Sequence, residues 1–303
     1  MANEADLSQL RAGAESWNQW RTDNPESAID LTGANLGDLD LTGTNLQGAD
    51  LTRANGIGVI FTKANLQGAN LTRADLSGAD INQANLNAAN LTSANLLGAD
   101  LAKTDLSAAL LERANLNRSD LSSANLSKAN LTKASLIGVE MNRVNLTGAN
   151  LTQANLKRVE LQRADLTGAN LSKAILTDAR ILSGNLKAAN LKGADLTGVR
   201  LNRATLSEAD LSDTKLKDTN LLGADLTGAN LAGALLIGTN LSGADLSQAN
   251  LAGQDLSGLN LAGSNLSQAN LAGANLQDAN LDGAVLEGAN LSQATLADGT
   301  VHD

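Results

Sequence analysis

Every fifth residue from Leu31 to Leu296 belongs to one ladder, and all but five of its positions are Leu. The exceptions are Gly56, Phe61, Ile81, Met141 and Ile181, and no insertion shifts the phase. A five-residue period fits neither an α-helix, which repeats at about 3.6 residues, nor a long strand, which repeats at about 2. It fits a short side followed by a corner.

The other four positions are also patterned. Two residues before the Leu stands mostly Ala, one before it mostly Asn or Asp, and one after it often Thr or Ser; the next is variable and often Gly. Ala69-Asn70-Leu71-Thr72-Arg73 is a typical word. In an extended three-residue step Ala and Leu point the same way, and the Asn or Asp between them points out. The next pair turns the chain. In Leu146-Thr147-Gly148-Ala149 the Gly stands third, where a type II turn needs positive φ.

One five-residue unit has neither a core nor backbone partners, so the chain must coil and stack on itself. Four right-angle corners would make a coil of twenty residues. The outward positions carry a hint of that period: Glu140, Glu160, Arg180 and Arg200 recur in steps of twenty, with Val139, Val159 and Val199 beside three of them. On such a coil these charges would stack on one face at about 4.8 Å per rung. Arg143, Arg163 and Arg203 flank them.

These words resemble the pentapeptide-repeat family, whose motif is A(D/N)LXX, and the resemblance runs from Leu31 to about Thr300. It implies an all-β solenoid, a right-handed quadrilateral β-helix with Leu and Ala inside and the other three positions outside. About thirteen coils of four pentapeptides would give a rod of roughly 65 Å at strand spacing. Handedness and square section come from the resemblance alone; the residues show a five-residue inward and outward rhythm.

A solenoid grows by addition, so 303 residues need not split into two domains. The expected organisation is a helical cap over 1–28, a β-helix over 29–300 and a tail over 301–303. In the cap, residues 5–21 read as the only helix. Leu7, Leu10, Ala14 and Trp17 form one apolar stripe, and Asn24-Pro25 ends it. Leu7, Leu10, Trp17 and Trp20 are expected to cover the first coil, Leu31 to Leu46, and block its open edge. Ser16-Trp17-Asn18-Gln19-Trp20-Arg21 also resembles the lead-in of cyanobacterial pentapeptide-repeat proteins.

Two irregularities stand out. Gly56 removes a ladder side chain, and Phe61, next in line, is large enough to lean into the hole; exposed Ile57 and Ile60 would be the alternative use of this stretch. At the other end no helix follows the last repeat. An uncovered final coil exposes unpaired backbone, which a second copy docked tail to tail would cover.

Net charge is −10 and unevenly spread. Residues 1–30 are acidic, the body is near neutral, and from Asp218 onward there are nine acids and no Lys or Arg. There is no Cys, which excludes disulfides and thiolate chemistry, and the one His, His302, excludes His-based triads. Carboxylate pairs such as Asp38 with Asp40 and Asp75 with Asp80 lie on flat faces without a pocket. No enzyme activity, metal or cofactor is expected. The start of the chain has no apolar run, so neither a signal peptide nor a membrane span is expected, and the cytoplasm is the expected location.

Direct nucleic-acid binding is disfavoured by the acidic total and the lack of Tyr, although Arg53, Arg73, Arg113, Lys133 and Lys173 recur on one expected face. A run of Thr32, Thr52, Thr72, Thr92, Thr132 and Thr152 offers a hydroxyl ladder that could order water. The functional expectation is a non-enzymatic scaffold for a protein partner, self-associating through its C-terminal coil. Its contact face would comprise Glu140, Glu160, Arg180 and Arg200 with Arg143, Arg163 and Arg203. The alternative, implied by the resemblance, is a DNA mimic that binds DNA gyrase or another topoisomerase. The acidic end suits it; the basic-containing body and the lack of a projecting loop or an aromatic C-terminal helix do not.

Overall fold

The five backbone N–H groups of one word account for the whole architecture. In a computed structural model describing residues 2–303, Asn70 N–H donates back to the Ala49 carbonyl (2.9 Å), and Leu71 N–H donates forward to Asn90 (2.7 Å). Thr72 N–H is taken by the Asn70 side chain (3.2 Å). Arg73 N–H donates forward to Thr92 (3.0 Å), and Ala74 N–H closes the corner on Leu71 (3.0 Å). None of these five N–H groups is left unpaired. The third bond explains why Asn or Asp holds its position: it is the residue type whose side chain accepts the N–H two residues on.

The forward and backward bonds make parallel bridges between residues twenty apart, such as Asp30 with Asp50 and Asn35 with Asn55. Four such bridges per coil give it four sides, each a single bridged residue, shorter than the three-residue side the sequence implies. The chain divides into two compact units, Met1–Ala154 and Asn155–Asp303. Both are β-helical and built on this coil.

In the first unit the ladder residues are buried without exception from Leu31 to Leu151, as are the Ala positions other than Leu39. A buried Leu contributes roughly 1.5–3 kcal/mol before ordering entropy is subtracted. Where Thr replaces Ala inside, its hydroxyl finds a carbonyl: Thr44 donates to Leu41 (2.7 Å) and Thr104 to Ile81 (2.8 Å). Corners are less dependent on Gly than the sequence implies. Gly148 has φ +64°, but Arg73 at +58° and Ala88 at +56° adopt the same left-handed turn.

The space over Gly56 is closed by neighbours from two directions. A Cβ there would lie 2.9 Å from Leu76 Cδ2 and 3.1 Å from Val59 Cγ1. Phe61, expected to lean into the hole, is fully buried.

The N-terminal segment forms two helices where one was expected. α1 spans Glu4–Arg11 and α2 spans Ala14–Asp23. They part at Gly13, whose φ of +104° cannot continue a helix. The Asn3 side chain caps α1 by accepting Ala5 N–H at 2.9 Å. Leu7, Leu10 and Trp17 are buried; Trp20 is half-buried, its ring 5.3 Å from that of Trp17. Side chains here take the place of a preceding coil. Asp6 accepts Asp30 N–H (3.0 Å) and Asn18 accepts Asn45 N–H (2.8 Å). Trp17 Nε1–H, Arg11 and Arg21 donate to the carbonyls of Asn45, Asn35 and Gln47.

The second unit repeats this plan with one seam. Gln254 stands at an interior position otherwise mostly Ala and is buried. With its amide oriented to satisfy both ends, it donates to the Ala234 carbonyl (2.7 Å) and accepts Gly233 N–H (2.7 Å). It thereby replaces ladder bonds between successive coils. Leu236, Gly238 and Asp255 N–H make no backbone hydrogen bond among the described residues, and Leu235 has no bridge to Asp255.

At the C-terminal end, residues 301–303 are not the free tail expected. Val301 pairs antiparallel with Thr295, and His302 N–H donates to Ala294 (2.8 Å) while its carbonyl accepts Gln293 N–H (2.8 Å). That return covers one side only. Leu281, Leu286, Leu291 and Leu296 are half-exposed, unlike every earlier ladder residue.

Candidate interaction surfaces

The expected contact face contains residues of both units. Glu140 and Arg143 lie exposed in the first unit. In the second, Glu160, Arg180 and Arg200 occupy successive coils, bridged Glu160 to Arg180 and Arg180 to Arg200. The Arg180 Nε lies 3.5 Å from Glu160 Oε2. That Nε is buried yet forms no hydrogen bond, so the pair is neutralised by proximity without a directed contact. Gln162 also donates to Glu160 Oε2, at 3.3 Å. A half-exposed pair of this kind contributes about 0–1 kcal/mol.

Arg200 is different. It stands in register beside Arg180, an arrangement of like charges that destabilises a bridged pair. Neither Arg200 nor Arg203 has an ion pair or a side-chain hydrogen bond among the described residues, whereas Lys187, Lys192 and Lys215 of the same unit are matched with Glu208, Asp213 and Asp195. The two arginines line an open trough of about 630 Å³ with Asn202, Asn220 and Ser183, walled by Leu182 and Leu222. The sequence pattern found these arginines but not the trough. The two leucines stand at the position after the ladder residue, where the neighbouring coils carry polar Gln162, Asn202 and Ser242.

A second surface is the open C-terminal coil, where the half-exposed Leu281, Leu286, Leu291 and Leu296 meet an acidic surround of Asp282, Glu287 and Asp298. Asp298 is held below the usual carboxylate range by hydrogen bonds from Thr300. Exposed apolar side chains elsewhere are scattered; the largest exposure is Ile237 at 67%, next to Leu235 at the Gln254 seam.

Several other sequence candidates turn out to be structural. Asp40 accepts Thr42 N–H, Asp75 accepts Ser77 N–H and Asn95 Nδ2, and Asp80 accepts Asn82 N–H. Asp38 instead occupies a left-handed corner, its Oδ1 2.8 Å from where a Cβ of Gly58 would stand. The hydroxyls of the Thr run are drawn into the same network: Asn70 donates to Thr52 Oγ1 (2.8 Å), and Asn150 to Thr132 Oγ1 (3.0 Å). Arg53, Arg73, Arg113 and Lys133 occupy left-handed corners.

What pattern reading missed is the coil-to-coil amide ladder. Asn115 donates to Asn95 (2.9 Å), and Asn95 to Asp75 (2.9 Å). In the second unit Asn250 donates to Asn230 (3.0 Å), and Asn230 to Asp210 (3.2 Å). The outward Asn column is therefore a second spine. No helix among the described residues is long and apolar enough to cross a membrane, and no three of their His, Asp or Glu side chains are gathered as a metal site requires.

Comparison with curated proteins gives no match. Among solved structures, the chain is similar to HetL, a pentapeptide repeat protein involved in heterocyst differentiation regulation in the cyanobacterium Nostoc sp. strain PCC 7120. The identity is 36% over 70% of this chain and 91% of that one, with a TM-score of 0.38. It is also similar to Rfr23, a pentapeptide repeat protein of the cyanobacterium Cyanothece 51142 (25%, 56% and 91%, TM-score 0.24). A third similarity is to the plasmid-mediated fluoroquinolone resistance protein QnrB1 (19%, 65% and 88%, TM-score 0.30). The family model for pentapeptide repeats matches residues 34–73, 69–107, 104–143, 140–178, 185–223, 224–260 and 255–293. The chain belongs to the pentapeptide-repeat family.

Proposed function

We propose that this protein is a non-enzymatic scaffold that binds a protein partner through its Arg-bearing face and associates with a second copy through its C-terminal coil. The observation that carries the first part is the column Glu160, Arg180, Arg200, whose last arginine has no counter-ion among the described residues. Arg163 and Arg203 flank it, and Glu140 and Arg143 hold the corresponding sequence positions in the first unit. Arginine is the charged residue most often found at the energetic centre of protein interfaces. The second part is supported by the half-exposed ladder leucines of the final coil. An apolar end of this kind gains by burial against an identical end.

Capture of a partner from a lysate of the source cells tests the face. The wild-type chain is compared with a variant carrying Glu140→Lys, Glu160→Lys, Arg180→Glu and Arg200→Glu. A partner retained by the first and lost by the second is expected, and equal recovery by both removes the face. Light scattering at high micromolar concentration tests self-association. A dimer that dissociates in Leu286→Asp is expected, and a wild-type monomer overturns it.

A second reading, a DNA mimic acting on a topoisomerase such as DNA gyrase, is favoured by one observation. From Asp218 to Asp303 the chain carries nine acids and no Lys or Arg. A supercoiling assay with purified gyrase tests it: inhibition or protection supports the mimic, and no effect at micromolar protein ends it.

A further inference from the structure

The trough beside Arg200 has a more definite chemistry than a generic contact face. Leu182, Asn202 and Leu222 occupy one position on three successive coils. The two leucines are thus two rungs apart, about 9.6 Å, with the amide of Asn202 between them. Arg200 and Arg203 stand on either side of Asn202 in sequence, and Ser183 and Asn220 complete the lining. The slot therefore offers two apolar walls, an amide, and two guanidinium groups without partners.

Each component restricts the ligand. A guanidinium presents a planar fork that matches a carboxylate in two parallel hydrogen bonds. Two unneutralised forks select an anion. The leucine walls favour a ligand that also carries aliphatic groups, which a bare phosphate or nucleic-acid backbone lacks. No aromatic side chain is present to stack a base. The chain's net charge of −10 opposes a long polyanion but hardly affects a short one bound within the slot.

We propose that the slot between Leu182 and Leu222 binds an acidic, leucine-type segment of a partner protein, its carboxylates on Arg200 and Arg203 and an aliphatic side chain between the walls. The inference rests on the interaction reading above and specifies the partner's chemistry. The arginines fix position and charge; the leucines reject acids that lack an apolar neighbour.

Fluorescence anisotropy on the full chain tests this with labelled twelve-residue probes. One repeats Asp-Glu-Leu, one is all Glu, one repeats Lys-Lys-Leu, and a single-stranded oligothymidine serves as a fourth. The Asp-Glu-Leu probe is expected to bind at least tenfold tighter than the other three. Arg200→Ala with Arg203→Ala should weaken it at least tenfold. Leu182→Ser with Leu222→Ser should bring it down to the all-Glu level. Removing two charges in the first unit, Lys63→Ala with Lys133→Ala, should leave it unchanged. Equal weakening by that control pair, or equal binding of all-Glu or oligothymidine, overturns the proposal. So does failure of the Asp-Glu-Leu probe to bind at all. That failure is separable from failure of the contact face, because partner capture can still be lost in the charge-reversed variant when no acidic peptide binds.

Discussion

The indole N–H of Trp17 donates to the carbonyl of Asn45 at 2.8 Å, twenty-eight residues along the chain. Each inner coil has that carbonyl paired by the coil before it, and here a side chain from α2 does so. Trp17 is also fully buried. Trp17→Ala should therefore cost about 3–5 kcal/mol. Trp17→Phe, which keeps most of the ring but leaves the carbonyl unpaired, should cost about 1–3 kcal/mol. Urea melts of both variants measure the difference. No loss in Trp17→Phe would mean that the hydrogen bond contributes nothing beyond the packing.

Asn95 both donates to Asp75 and accepts from Asn115. Asn95→Asp keeps the acceptor but removes the donor and sets a carboxylate over Asp75, so it should destabilise at pH 7 by about 1–2 kcal/mol. Much of that loss should return when Asp is protonated. Thermal melts at pH 7 and near pH 4 test it, and a loss independent of pH would point to shape instead of charge.

The ladder at Leu positions gave away the coil because its spacing is covalent: a five-residue period has few ways to bury one face. The Asn column was legible only as outward-pointing, since one chain's sequence does not say whether an outward amide meets solvent or the coil next door. Gly56 and Gln254 mark the limit of pattern reading. Gly56 stands out as an exception in the words and Gln254 does not, and the consequences of both depend on which neighbours move in. Leu76 and Val59 fill the first, while Gln254 takes over backbone partners itself. The break at Gly13 was missed because the apolar stripe of α1 and α2 keeps helical spacing across it.

Ala88 and Ala188 sit in left-handed corners at φ +56° and +52°. A residue with a Cβ there costs roughly 1–2 kcal/mol, and Gly adds back roughly 0.5–1 kcal/mol of chain entropy. Ala88→Gly and Ala188→Gly should each stabilise by about 0.5 kcal/mol. Differential scanning calorimetry showing a lower Tm for both would refute the strain argument. Gly238→Ala should do the reverse and by more, because its φ is +69° and a Cβ would meet Asp218 Oδ1 at 2.5 Å.

Acid should weaken the fold through carboxylates that hold turns. The Asp255 carboxyl lies below its ordinary value because Ser257 donates to it, with Asn275 assisting. Asp40 is lowered in the same way by Thr42. For Asp195, desolvation by burial works upward but is outweighed by hydrogen bonds from Thr197 and the charge and hydrogen bond of Lys215. A lowered folded-state pKa means that the stabilisation is fully present above the ordinary value of 3.8 and is lost as pH falls through the folded value. Stability should thus be flat from pH 7 to about 5 and fall below pH 4. Urea midpoints across pH 2–7 measure this; a midpoint that falls already between pH 7 and 5 would require some other titrating group.

Gln254 is the clearest place where one side chain sets the local dynamics. Its amide bonds with Gly233 N–H and the Ala234 carbonyl substitute for ladder bonds, and Leu236, Gly238 and Asp255 N–H are left without backbone partners. Two side-chain bonds thus stand where a continuous ladder runs elsewhere, beside the exposed Leu235 and Ile237. Gln254→Ala restores the common interior residue and lets the coils close. It should slow amide hydrogen exchange at Leu236, Gly238 and Asp255 and stabilise the second unit by about 1 kcal/mol. Gln254→Glu should do the opposite, since a carboxylate cannot donate to the Ala234 carbonyl and is buried without a cation. Faster exchange at these three amides in Gln254→Ala would show that the Gln braces the two coils, and that the gap it spans is set by the backbone around it.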